Sequence, residues 1–274
     1  MNSLFSMTRR HLLAMAISTV GIVAAAAPAT AQTPDALKTA GKVRIGMLVD
    51  FPPYGILNEN NEPDGYDADV AKLFAERLGV PIEIVQLTGP NRIPNLLTGR
   101  IDIVIGSLTI TPERAKQVQF SSPYSVAPTV IIGVRDLKAE KLEDLSGVSV
   151  AVPRAGSQDL VLTKSAPKDT QIQRFDDDAS ASQALLSGQV QTLAASMSVV
   201  AQIQKASPAG TFEVKFPLYT SLFGMAMRPG EEELLTWSNA FIAENIANGK
   251  LSELNKKWFG EDLPAMEIPD YITK

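Results

Sequence analysis

Short apolar runs alternate along this chain with stretches of helical period. Residues 42–49 read as a first strand, and 67–78 as an amphipathic helix stopped by Gly79. A strand at 81–87, a helix at 92–98 and a β-branched strand at 101–106 come next. Residues 123–128 hold two prolines among small residues and read as a crossing between lobes, after which 129–134 starts a new apolar run. A second alternating set then begins: strand 148–152, helix from about residue 158, strand 172–175, helix 180–186, strand 190–194 and helix 199–205. After a loop, 224–227 reads as another strand, with helices at 231–247 and 250–258 returning to the first lobe. Strands alternating with helices predict βαβ units, parallel sheets and an α/β fold.

The chemistry concentrates in residues 91–114. Ile101, Ile103, Val104 and Ile105, bounded by Gly99 and Gly106, have the composition of a strand buried on both faces. Residues just past the end of such a strand stand at the carboxyl edge of the sheet, where open α/β sheets bind ligands. This sequence puts Ser107, Thr109, Thr111 and Arg114 there. Hydroxyls and backbone N–H groups can donate to an oxyanion, and the guanidinium of Arg114 can hold it with two parallel hydrogen bonds. A second reading stands beside it: Thr111-Pro112-Glu113 looks like an N-cap, first position and first-turn acid, and Arg114 then only pairs locally on that helix.

Composition narrows the classes. Arg9 and Arg10, the apolar stretch 12–27 and Ala29-Thr30-Ala31 have the layout of a secretory leader cleaved before Gln32. Thr8-Arg9-Arg10-His11 also resembles a twin-arginine signal, so either export route fits. Residues 1–31 carry two arginines and no acid, so their removal takes the formal charge from −5 to −7. Such a surface repels nucleic acid and anionic membranes. The absence of cysteine rules out disulfides, thiolate metal sites and a lipidated N-terminal cysteine. His11 is the sole histidine and leaves with the leader, which removes Ser-His and Cys-His catalysis and makes zinc improbable. About 243 residues remain, free in the periplasm and able to form one large or two small domains.

Several motifs together resemble the family 3 extracytoplasmic solute-binding proteins, the polar amino-acid receptors of ABC importers. They are Gly65-Tyr66-Asp67-Ala68-Asp69-Val70-Ala71, Ile93-Pro94-Asn95-Leu96-Leu97-Thr98-Gly99-Arg100-Ile101-Asp102, Thr109-Ile110-Thr111-Pro112-Glu113-Arg114, Phe120-Ser121-Ser122-Pro123-Tyr124, Gly249-Lys250-Leu251 and Trp258-Phe259-Gly260. The resemblance covers the whole expected mature chain. It implies the type II periplasmic binding protein fold: lobe 1 from 32–126 plus 222–274, lobe 2 from 127–221, joined by two crossing segments. It also implies capture without catalysis, no cofactor, delivery to ABC permease subunits, and a monomer closing on an amino acid or related small carboxylate.

Carried over by position, Arg114 resembles the family arginine that holds the α-carboxylate, assisted by Thr109. Ser107 matches a contact to the α-ammonium, and Phe51 an aromatic ring laid against the ligand. Gly156-Ser157-Gln158 matches the second-lobe loop whose N–H groups close on the carboxylate at a helix N-terminus.

The departures lie where the family keeps its charges. The Asp that usually faces the ligand ammonium is Ser196 here, and the acid before it is Gln191. Leu48 stands where some cationic amino-acid receptors have an acid, and Gly89 where an aromatic is common. A desolvated ammonium without a carboxylate costs several kcal/mol. Either the ligand lacks the ammonium, or Asp50 or an acid of Asp176-Asp177-Asp178 supplies the charge; the triplet also reads as a solvated loop before a helix.

Two other classes remain. A dehydratase for prephenate-like or arogenate-like carboxylates on the same fold needs a general acid in the cleft, and no acidic pair stands out beside Arg114. A sensor module lacks its spanning and signalling segments in this sequence.

Overall fold

The computed structural model describes residues 31–272. The expected leader lies outside the described residues except for Ala31. Helix α1 (Pro34–Ala40), which the apolar pattern did not predict, starts where Thr33 accepts the Ala36 N–H and stops at Gly41, φ 72°. Strand β1 (Val43–Met47) leads to a small hairpin of β2 (Ile56–Leu57) and β3 (Pro63–Asp64). Helix α2 (Tyr66–Leu78) ends as predicted at a left-handed Gly79. Then come β4 (Ile82–Gln86), α3 (Arg92–Leu97), a short β5 (Ile103–Val104) inside the longer predicted run, and the single turn α4 (Pro112–Ala115).

The crossing differs from expectation. Residues 123–128 do not separate two strands: β6 (Gln119–Val134) runs through them unbroken. Proline removes a ladder donor, and Pro123 sits at a register shift opposite Gly224 while Pro128 is exposed. The second half of the chain adds β7 (Ser149–Pro153), α5 (Ser157–Ser165), β8 (Gln171–Phe175), α6 (Asp178–Leu186), β9 (Thr192–Ser196) and α7 (Met197–Ala206). Strand β9 starts two residues later than predicted and so ends on Ser196. The stretch expected as a loop before residue 224 is instead part of β10 (Phe212–Met227). Glu213, Lys215 and Pro217 hid it, because bulges at Val214/Phe216 and Pro217/Tyr219 break the two-residue alternation. Helices α8 (Glu232–Ala247) and α9 (Lys250–Phe259) close the fold.

The large sheet has the order β4-β1-β5-β10-β6-β9-β7-β8. At each end the pairs are parallel: β1 with β4 and β5, and β7 with β8 and β9. Between them β6 and β10 pair antiparallel along almost their whole length. This is the two-lobe α/β architecture, with the long strands as the two crossings. Apolar cores pack on both ends, including Ile45, Phe74, Ile103 and Phe241 at one and Val150, Val152 and Leu162 at the other. Among the described residues, no helix is long and apolar enough to cross a membrane.

Candidate ligand-binding site

The carboxyl ends of the parallel strands converge on one cavity of about 50 Å³. Leu48 after β1, Ser107 after β5, Pro153 at the end of β7 and Ser196 at the end of β9 all line it. Of the three described non-glycine residues with left-handed backbone, Asn61 lies away from the cavity lining, while Ser107 (φ 49°) and Ala155 (φ 57°) lie at it or next to it. Such residues are uncommon and concentrate at functional sites.

Arg114 joins a locally capped helix by its backbone, while its side chain leaves that helix for the cavity. Thr111 accepts the Arg114 N–H and caps α4, as the local reading required. Its guanidinium nevertheless turns into the cavity, 6% exposed, and donates from Nη1 to the Thr109 carbonyl (2.9 Å) and from Nη2 to the Ala155 carbonyl (2.9 Å). Thr109 follows β5 and Ala155 follows β7, so this fork is braced from both sides. Among the described residues it forms no ion pair, and burial, with Arg92 nearby, pushes it down to about 9.

Ser107 leads from the cavity to a buried carboxylate. Asp67, at the start of α2, accepts from Ser107 Oγ (2.6 Å) and from the Tyr124 hydroxyl (2.8 Å), while the Ser107 N–H donates to that same hydroxyl (3.0 Å). Burial raises the Asp67 carboxyl to about 6, against the opposing pull of these two hydrogen bonds. Ser107 lines the cavity, but its hydroxyl is committed to Asp67 and its carbonyl accepts from Arg92 Nη1 (3.1 Å). Arg92 also donates to Gly106 O and Gly89 O, and it lines the cavity as a second buried guanidinium. The sequence reading passed over it. The available signal was its spacing from Leu96, since residues four apart share a helix face and these two are the buried ones of α3.

From the second half, Ser157 shares a hydrogen bond of 3.0 Å with Thr109 and accepts from the Tyr219 hydroxyl (2.7 Å), and Gln158 stands beside it on the cavity wall. Phe51 is 8% exposed, stacks on Tyr54 at 5.2 Å and lines the cavity, so it is a core ring and a wall ring together. Ser196 is the N-cap of α7, accepting from the Val199 N–H (3.4 Å) and bonded to Ser198 Oγ (2.8 Å).

The acidic triplet divides into three roles. Asp176 is exposed and pairs with Arg154, and Asp177 caps α6 by accepting the Ser180 N–H. Asp178 lines the cavity. Its backbone N–H donates to Asp50 Oδ2 (3.3 Å), while Asp50 itself stands just outside the cavity wall. Burial, and then the neighbouring Asp50, raises Asp178 to about 7 despite the opposing charge of Arg92. The same kind of burial raises Asp50.

Comparison with known proteins identifies the family. The profile of bacterial extracellular solute-binding proteins, family 3, matches residues 43–261. The L-cystine-binding protein TcyJ of Escherichia coli (strain K12) is 25% identical over 229 residues, spanning 83% of this chain and 86% of that protein. A variant of ArgBP from T. maritima superimposes with TM-score 0.77 at 33% identity, covering 84% of this chain and all (100%) of that one. The ancestral amino acid-binding protein AncCDT-1, a precursor of cyclohexadienyl dehydratase, gives TM-score 0.76 at 33% identity over 83% of this chain and 100% of its own. With a match that spans most of its length, the chain belongs to the bacterial extracellular solute-binding proteins, family 3.

Proposed function

We propose that this protein is the receptor of an ABC importer, capturing an amino acid or related small carboxylate between its lobes and presenting it to the permease. The observation that carries the reading is Arg114: a buried guanidinium at the cavity, without an ion pair among the described residues, held in place by one carbonyl from each side. A buried cation without a carboxylate is costly unless an anion joins it. Thr109 and Ser157 assist with hydroxyls, Gln158 and the N-terminus of α5 close over the carboxylate, and Phe51 packs on the ligand side chain. The lobes divide as 32–126 with 222–274 against 127–221, which places both divisions within the long strands. The chain is exported to the periplasm and acts there as a monomer.

Isothermal titration with the amino acids that stabilise the refolded mature chain tests this. Arg114→Ala loses at least about a hundredfold in affinity, the effect of two charge-assisted hydrogen bonds, while its far-UV spectrum is retained. Unchanged affinity overturns the assignment.

The dehydratase reading is favoured by one feature, the presence of an acid, Asp178, on the wall of the cavity that Arg92 and Arg114 also line. Release of phenylpyruvate from prephenate by the wild-type chain supports that reading, and its absence removes it.

A further inference from the structure

We propose that Asp178 is the counter-ion for a ligand ammonium, taking over from the carboxylate that Ser196 lacks, so that the site takes zwitterionic amino acids in preference to plain carboxylates. The inference rests on the reading of Arg114 given above. Four observations carry it. Asp178 and Arg114 border the same cavity of about 50 Å³; a water-sized sphere needs roughly 10–15 Å³ on this scale, so a molecule touching one is within reach of the other. Among the described residues the Asp178 carboxylate makes no hydrogen bond or ion pair, and only its backbone N–H is engaged, with Asp50. Arg92 favours the Asp178 charge from a distance but makes no ion pair with it, since its hydrogen bonds from Nε and Nη1 go to the carbonyls of Gly89, Gly106 and Ser107. Ser196, at the position of the family acid, is occupied with capping α7.

The arrangement has a physical logic. Asp178 is the first residue of α6, where the helix dipole favours negative charge, yet burial and Asp50 make that charge expensive until a cation arrives. An ammonium bound here offsets both. Asp50 is a weaker choice for the role, since it lies outside the wall and already accepts the Asp178 N–H.

The test pairs each amino acid with the carboxylate that differs only by loss of its amino group, both of them in the case of cystine. The probes are L-glutamine with glutaramate, L-arginine with δ-guanidinovalerate, and L-cystine with dithiodipropionate, titrated calorimetrically. The wild type binds the amino-acid member of at least one pair and prefers it to its partner. Asp178→Asn weakens the amino acid at least tenfold and its partner less than twofold. Ser196→Asp placed on that background restores the amino acid, because Asp caps a helix as well as Ser does and returns a carboxylate to the cavity wall. Equal loss for both members of a pair, no loss for either, or a wild type that prefers the des-amino member overturns the role of Asp178 and leaves the receptor reading standing. A wild type that binds no member of any pair, nor any other amino acid or carboxylate, overturns the receptor reading and this inference with it.

Discussion

Arg114 donates from Nη2 to the carbonyl of Ala155 at 2.9 Å, so the cavity-lining guanidinium that follows β5 is held by the turn that follows β7. Ala155 presents that carbonyl from a left-handed backbone, φ 57°. A β-branched side chain tolerates this conformation poorly. Ala155→Val therefore lowers stability by about 1–3 kcal/mol and weakens ligand affinity by displacing the carbonyl, read by urea melts and calorimetry side by side. A variant with wild-type affinity would show that the brace is dispensable.

Asp67 makes stability depend on pH in an unusual direction for an acid. Its folded value, about 6, lies above the ordinary carboxylate range. The folded state thus holds the proton more tightly, and this group's contribution is full below about pH 4 and is lost as pH rises through about 6. Over that window the loss is at most about 3 kcal/mol. In Asp67→Asn that part of the slope disappears, which denaturant melts at a series of pH values detect as a flatter profile; an unchanged slope assigns the titration elsewhere. Asp178 acts in the same sense up to about 7 and remains in both proteins, so the difference isolates Asp67.

Glu231 is 1% exposed and holds Arg228 through Oε1 at 2.7 Å and through the Arg228 N–H at 2.9 Å. Arg228 in turn donates to the carbonyls of Leu96 and Ile101, tying β10 to the segment that leads into the site. Glu231→Ala leaves a buried guanidinium without its carboxylate and costs about 3–5 kcal/mol, measured by denaturant melts. A loss below about 1 kcal/mol would show that water reaches Arg228.

A Cβ on Gly106 would stand 2.8 Å from the Met47 Cα and 3.1 Å from the Gly46 carbonyl, both backbone atoms. Gly106→Ala must part β5 from β1 immediately before Ser107. Affinity falls at least tenfold, with a lower Tm, whereas the same substitution at Gly79, with no atom within 4 Å of its added Cβ, leaves affinity unchanged.

The elements with clean periodicity were readable in advance: α2 with its terminal glycine, β1, β4, β7 and α8 all fall within a residue or two of their predicted limits. Alternation failed across the crossings, because β10 carries charges and bulges in its first half and β6 runs through two prolines. At the site, Arg114, Thr109 and Ser107 were legible since a single strand end delivers them together. Asp178 was not, because three consecutive acids look alike in sequence and only the turn into α6 sends one outward, one to the cap and one to the cavity. Arg92 was hidden by its type, as a buried arginine is read from sequence as solvent-facing. Ser107 was expected to offer its polar atoms to a ligand; its hydroxyl is instead the link to a carboxylate that only the fold brings near.

The paired long strands bear on how the receptor unloads. β6 and β10 stay paired from Phe212↔Val134 to Met227↔Gln119, interrupted only by bulges. A ribbon tied in this way bends and twists but does not shear, so any change of angle between the halves leaves every strand with its neighbour. Cargo can be given up while the sheet remains whole, and the same molecule is ready for the next cycle without refolding any of it.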